Sequence, residues 1–95
     1  MDDEQLKRLI QSAGMACFVK YYKDLINFSL SDRSLIEKIL ETDGYTELAC
    51  STRVLKSRQI IRAGRAGDAL KRIAISSRIP AQVANTARQL LNQST

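Results

Sequence analysis

The sequence predicts an all-α fold, a small single-domain bundle of five or six short helices over residues 1–95. Apolar residues recur at the three- and four-residue spacing of helices, and no stretch alternates as a half-buried strand does. The chain contains one proline, and its 44% hydrophobic content is ordinary for a globular protein. Its 95 residues suffice for one domain with one core.

The first helical stretch runs from about Asp3 to Asn27 and predicts two helices that meet near Gly14. Its acidic start suits the positive end of a helix dipole. A glycine inside a helix costs about 1 kcal/mol relative to alanine, which favours a kink or turn at this position. All five aromatic residues lie in residues 1–47 and are expected to join the core: Phe18, Tyr21, Tyr22, Phe28 and Tyr45.

Two further helices carry recognisable start and stop residues. Ser31 is the predicted N-cap of the first, and Gly44 is the predicted residue that ends it. Arg33 and Glu37 stand four residues apart on its solvent side, where they are expected to pair. Thr46 is the predicted N-cap of the second.

The helix that follows Thr46 is predicted to be buried on one side and basic on the other. At about 100° per residue, one face collects four residues that suit burial: Cys50, Val54, Ser57 and Ile61. Five polar or basic residues are expected on the other side, with Thr52 at the flank and Arg62 further round: Thr52, Arg53, Lys56, Gln59 and Arg62.

The segment Gly64-Arg65-Ala66-Gly67 interrupts the helical pattern. Asp68 is the predicted N-cap of the short helix that follows, and Lys71 and Arg72 are expected on its outer side. Pro80 is expected in the first turn of the last helix.

The charges are divided unevenly along the chain, whose formal net charge is +5. Residues 1–47 hold nine acids and six bases, which gives −3, whereas residues 48–95 hold one acid and nine bases, which gives +8. Seven of those nine bases are arginine, whose planar fork fits phosphate groups and guanine edges. Such asymmetry indicates an acidic partner, although an acidic half and a basic half could equally attract each other.

Residues 35–62 resemble the helix-turn-helix class, in which a second helix enters the major groove of DNA. The plan is an apolar helix, a turn with Gly44 and a basic amphipathic helix. Leu40 departs from it, since a small residue usually lets the two helices approach there. Plain packing of two neighbouring helices in a bundle explains the same pattern.

Gly64-Arg65-Ala66-Gly67 resembles the GXXG loop of KH domains, which clamps a nucleic-acid backbone between two helices. KH domains also need three strands, and the sequence predicts none. Outside that family, a turn bounded by glycines can present backbone N–H groups and Arg65 to a phosphate. It can also simply separate two helices.

Several functional classes are disfavoured by composition. The chain has no histidine, which removes the commonest zinc ligand and the usual catalytic base, so no enzyme activity, metal or cofactor is predicted. Cys17 and Cys50 form no Cys-x-x-Cys motif and are expected to be small buried hydrophobes. The acidic opening lacks a signal-peptide pattern, and no apolar run approaches the roughly 20 residues of a membrane span, so a cytoplasmic protein is expected.

The leading hypothesis is therefore a small regulatory or accessory protein that binds nucleic acid, with duplex DNA favoured and a homodimer expected. Residues 48–95 hold no aromatic side chain on which single-stranded bases usually stack. The alternative is a helical protein–protein interaction module or an obligate dimer with no small-molecule substrate. The residues expected to contact nucleic acid are Thr52, Arg53, Lys56, Gln59, Arg62, Arg65, Lys71 and Arg72.

Overall fold

The computed structural model describes residues 1–93, and Ser94 and Thr95 lie outside the described part. The predicted all-α bundle is confirmed. The described residues form seven helices, more than the predicted five or six, because the first stretch divides at Gly14 and again at Tyr21. The helices are α1 (Asp3–Ala13), α2 (Met15–Lys20), α3 (Tyr22–Leu25), α4 (Asp32–Asp43), α5 (Glu47–Arg62), α6 (Ala66–Ala74) and α7 (Ala81–Gln93).

The helix starts follow local capping chemistry. The predicted caps Ser31 and Thr46 are confirmed, since each side-chain oxygen accepts a hydrogen bond from a backbone N–H at 3.1 Å. Asp2 forms a reciprocal capping box with Gln5 at the start of α1.

Two predicted boundaries differ from the structure. Asp68 does not cap α6, because the turn after α5 closes early and the helix already begins at Ala66. The carboxylate of Asp68 instead accepts a hydrogen bond from Arg65 at 2.6 Å. Pro80 lies one residue before α7 instead of inside its first turn, and its carbonyl accepts the first bond of that helix.

Helix α5 lies at the centre of the packing, with α1 and α4 against it, while α6 packs against α7 and α2 also contacts α7. The core draws on every helix and includes most of the predicted aromatic cluster. Phe18, Tyr21 and Tyr22 are buried, whereas Phe28 is exposed and Tyr45 is partly buried. Both cysteines are buried free thiols, as predicted, and burial raises the pKa of Cys17 to about 11.

A buried arginine on α5 completes the end of the short helix α3. The side chain of Arg58 is only 2% exposed, although its guanidinium carries a full charge. The last carbonyls of a helix lack partners within that helix, and the guanidinium supplies donors for them. Its hydrogen bonds go to the carbonyls of Leu25 (3.2 Å), Asp24 (3.3 Å) and Asn27 (3.1 Å) and to Oδ1 of Asp32 (2.5 Å).

The break between α1 and α2 is formed by Gly14, whose φ of +83° few L-residues adopt. The guanidinium of Arg53 lies directly over this glycine and donates to the carbonyl of Ala13 at 3.3 Å. The same group lies 4.4 Å from the ring centroid of Tyr45. Arg53 thus joins α5, the α1–α2 break and the α4–α5 turn.

A polar cluster fastens α2 to the end of α4. Asp43 accepts hydrogen bonds from Lys20 Nζ at 2.6 Å and from the Tyr21 hydroxyl. These bonds, with that of Lys20 the stronger influence, hold the pKa of the Asp43 carboxyl below its ordinary value of 3.8.

This cluster predicts a loss of stability in acid. Because the folded state lowers the pKa of Asp43, its contribution is present above the ordinary value of 3.8 and disappears as the pH falls through the folded pKa. Urea unfolding should be measured at neutral pH and at pH values below 3.8. Asp43→Asn should be less stable than wild type near neutrality, and the difference in the free energy of unfolding should shrink in acid. Glu41→Gln, on an exposed carboxyl of the same helix, is the control and should unfold as wild type near neutrality. An Asp43→Asn deficit that persists unchanged at low pH would contradict this assignment.

Within residues 1–93, no helix combines the length and apolar character that crossing a membrane requires.

A basic groove as the candidate functional site

The predicted contact residues on α5 do not form one open basic face. The guanidinium of Arg53 covers Gly14 and donates to the carbonyl of Ala13. Thr52 and Lys56 are only partly exposed. Gln59 lies exposed beside α1, and Arg62 is exposed with its guanidinium 5.1 Å from the ring centroid of Phe28. Since α1 and α4 both pack on α5, part of the surface that a groove-reading helix needs is already in use.

Arg65, the arginine of the glycine-bounded turn, is held by groups within the chain. It bonds Asp3 at 2.7 Å, Asp68 at 2.6 Å and the carbonyl of Met1 at 2.7 Å, and its side chain is 22% exposed. The hydrogen bond from Arg65 lowers the pKa of Asp3. An acidic residue of residues 1–47 therefore neutralises a basic residue of residues 48–95. Attraction between the two halves was the alternative that the sequence analysis left open.

The remaining predicted cations lie on α6 and are more accessible. Lys71 is exposed, and Arg72 lies 3.8 Å from Asp3 in a looser ion pair. Arg88, another base of residues 48–95, donates to the carbonyl of Ala74 at 2.8 Å and so helps to join α7 to α6.

A groove between α1 and the end of α6 brings cations together. It has a volume of about 310 Å³ and is bounded by α1, the first residue of α2, the end of α6 and the loop that leads to α7. Among its described lining residues every charged side chain is a cation: Lys7 from α1, Arg72 from α6 and Arg78 from the loop. Lys7 and Arg78 are exposed and Arg72 is half-exposed, so all three can meet a ligand from solvent.

The rest of the groove wall is partly polar and partly apolar. Gln11 lies one turn after Lys7 on α1, and Ser76 and Ser77 lie in the loop beside Arg78. The apolar part is formed by Ile10, Met15 and Ile75. A site with cations, short hydrogen-bonding side chains and an apolar wall can hold an anion that also carries an uncharged planar or apolar group.

Of the eight predicted contact residues, only Arg72 lines this groove, while Arg65 and Lys71 lie on the adjoining surface. Sequence reasoning missed Lys7, Gln11 and Arg78. Lys7 and Gln11 are four residues apart and so share a face of α1. That spacing was the one sequence feature that could have indicated a shared site. No local pattern indicates that this face meets the end of α6.

Comparisons of the chain with protein-family models, with curated proteins and with solved structures give no match. Its function is therefore inferred from its own residues.

Proposed function

We propose that this protein binds nucleic acid, duplex DNA in the first place, by holding backbone phosphates against the basic groove. The observation that carries the proposal is the meeting of Lys7, Arg72 and Arg78 around one opening. Each phosphate that these cations neutralise releases condensed counterions, which favours binding whatever the base sequence. Two of the three are arginine, whose planar fork can bond two phosphate oxygens at once.

The adjoining surface supports an extended ligand over a single small anion. Lys71 is exposed next to Arg72 and adds one cation to that surface. The same surface carries the carboxylates of Asp3 and Asp68, both of which are paired with Arg65. Duplex DNA carries one negative charge per roughly 1.7 Å of its axis, so exposed cations that lie near one another can meet neighbouring phosphates. Arg62, the last residue of α5, is exposed and was among the residues predicted from the sequence, and it is a candidate for a phosphate contact outside the groove.

A second candidate function is a protein–protein interaction module, which includes an obligate dimer. It is favoured by Leu48 and Leu55, two exposed leucines seven residues apart on α5 and thus on one face of that helix. Apolar side chains exposed together in this way are typical of surfaces that meet a partner.

The phosphate proposal predicts binding that weakens steeply with salt and depends on the groove. Titration of a fluorescent duplex of mixed sequence, followed by anisotropy between about 50 and 200 mM salt, should give a linear fall of log affinity with log salt concentration. Arg78→Glu should weaken binding about tenfold, the effect of one charge-assisted contact, and lower the salt slope by about 1.

The matched control is Lys23→Glu, which changes the net charge equally at an exposed position of α3 outside the groove. It should retain most of the wild-type affinity. Equal losses in the two variants would indicate a general charge effect and overturn the groove as the site. A dimer by light scattering that ignores DNA at low salt would favour the second candidate.

A further inference from the structure

The groove has a feature that phosphate binding alone does not require, namely its apolar wall. Ile10 is almost fully buried and forms the floor, and Met15 is partly exposed beside it. Ile75 is 83% exposed at the opening, so that a large apolar side chain faces water next to three cations. Phosphate oxygens gain nothing from such a wall, whereas the flat face of a nucleobase does.

The order of side chains along α1 matches the order of chemical groups in a nucleotide. Lys7 comes first, Gln11 follows one turn later, and Met15 stands at the start of the next helix. Lys7 and Gln11 lie about 6 Å apart along α1, and Met15 lies beyond the break at Gly14. A ligand lying along this wall therefore meets a cation at one end and a thioether at the other.

The polar groups near the apolar wall are of the kind that reads base edges. The amide of Gln11 offers a donor and an acceptor together, which is the pattern that pairs with the edge of adenine. The hydroxyls of Ser76 and Ser77 lie in the loop beside Arg78 and can serve either a phosphate or a base. A volume of about 310 Å³ lies at the small end of the range of ligand pockets and suits one such unit.

We infer that the groove holds one unstacked nucleotide, its base against Ile10, Met15 and Ile75 and its phosphate between Lys7 and Arg78. This inference rests on the proposed function and names its ligand more closely. The thioether of Met15 contacts aromatic faces favourably, which compensates in part for the missing aromatic side chains. The nucleotide comes either from an unpaired strand end or from solution as a free nucleotide.

The two sources are distinguished by two binding measurements on the full chain. In the first, a blunt duplex is compared with the same duplex carrying a short adenine-containing overhang. The overhang should bind about fivefold tighter, because part of one base face is removed from water against apolar side chains. In the second, adenosine monophosphate is titrated alone and followed by calorimetry. Binding in either measurement that depends on Ile75 supports the inference and identifies the source.

The decisive variant is Ile75→Ser, which removes the exposed apolar group without changing charge or core packing. The same exchange at Ile26, an exposed isoleucine outside the groove, is the matched control. Ile75→Ser should abolish the overhang gain or the monophosphate binding, while Ile26→Ser should retain it. Gln11→Ala should reduce any preference for adenine over the other bases.

Failure of the nucleotide pocket is distinguishable from failure of the proposed function. If blunt and overhanging duplexes bind equally and the monophosphate does not bind, the pocket is overturned while phosphate binding stands. Equal loss in the Ile75→Ser and Ile26→Ser variants also overturns it. If no nucleic acid binds at low salt, the proposed function falls, and the pocket falls with it when the monophosphate also fails to bind.

Discussion

Replacing Arg58 with alanine should lower the free energy of unfolding by about 4 kcal/mol, a large share of the total for a domain of this size. The guanidinium is buried and supplies four hydrogen bonds, three of them to carbonyls around the end of α3. Removal leaves Asp32 without its ion partner and those carbonyls with fewer donors, and it opens a cavity beside α5. Urea unfolding followed by circular dichroism measures the loss.

Arg62→Ala is the matched control because this arginine of α5 also lies over Phe28 but is exposed. It should cost less than about 1 kcal/mol. Arg58→Lys tests the geometry, since one ammonium group cannot reach four acceptors in different directions, and it should recover only a small part of the loss. Similar stabilities for Arg58→Ala and Arg62→Ala would show that the buried network contributes little.

Gly14→Ala should destabilise the protein by about 3 kcal/mol, clearly more than the same exchange at Gly44. Both glycines have positive φ, +83° and +68°, but only Gly14 is covered. A Cβ there would overlap Nη1 of Arg53 and lie 3.3 Å from its Cζ, whereas a Cβ at Gly44 meets nothing within 4 Å. Gly44→Ala should therefore cost only the conformational strain of about 1 kcal/mol.

A double-mutant cycle separates the two causes at Gly14. If overlap contributes, Gly14→Ala should cost less in a background that already carries Arg53→Ala, because the obstructing guanidinium is then absent. The backbone strain at φ of +83° remains in both backgrounds. Identical costs with and without Arg53 would assign the whole effect to the backbone and contradict the close contact.

The parts of the fold that were predictable are those set by neighbouring residues. Ser31, Thr46 and Gly44 begin or end helices through their own side chains or conformations, and Gly14 breaks a helix for the same reason. The buried face of α5 was read correctly at Cys50, Val54 and Ser57, while Ile61 is only partly buried.

Arg58 is a charged residue that is buried, so its charge alone gives the wrong expectation about its exposure. It stands four residues after Val54 and three before Ile61, so helical spacing places it on the buried face. Arginine is seldom fully buried unless it is paired, and its partners at the end of α3 cannot be recognised without the fold. The burial signal was therefore present, and only the compensating acceptors were hidden.

The groove was the least predictable feature because it depends on which helices meet. Dividing the chain into an acidic and a basic half placed Lys7 with the acids, whereas in the structure it faces Arg72 and Arg78. Arg65 is held by Asp3 across the boundary between the halves, so that charge along the sequence is not charge on the surface.

That bridge has a consequence for how readily the groove accepts a ligand. Arg65 joins the first residues of α1 to the first turn of α6, and later residues of the same two helices form the groove walls. A contact that already exists in the free protein need not be formed when a ligand binds, which lowers the free energy spent on ordering. A modest number of contacts can then yield useful affinity.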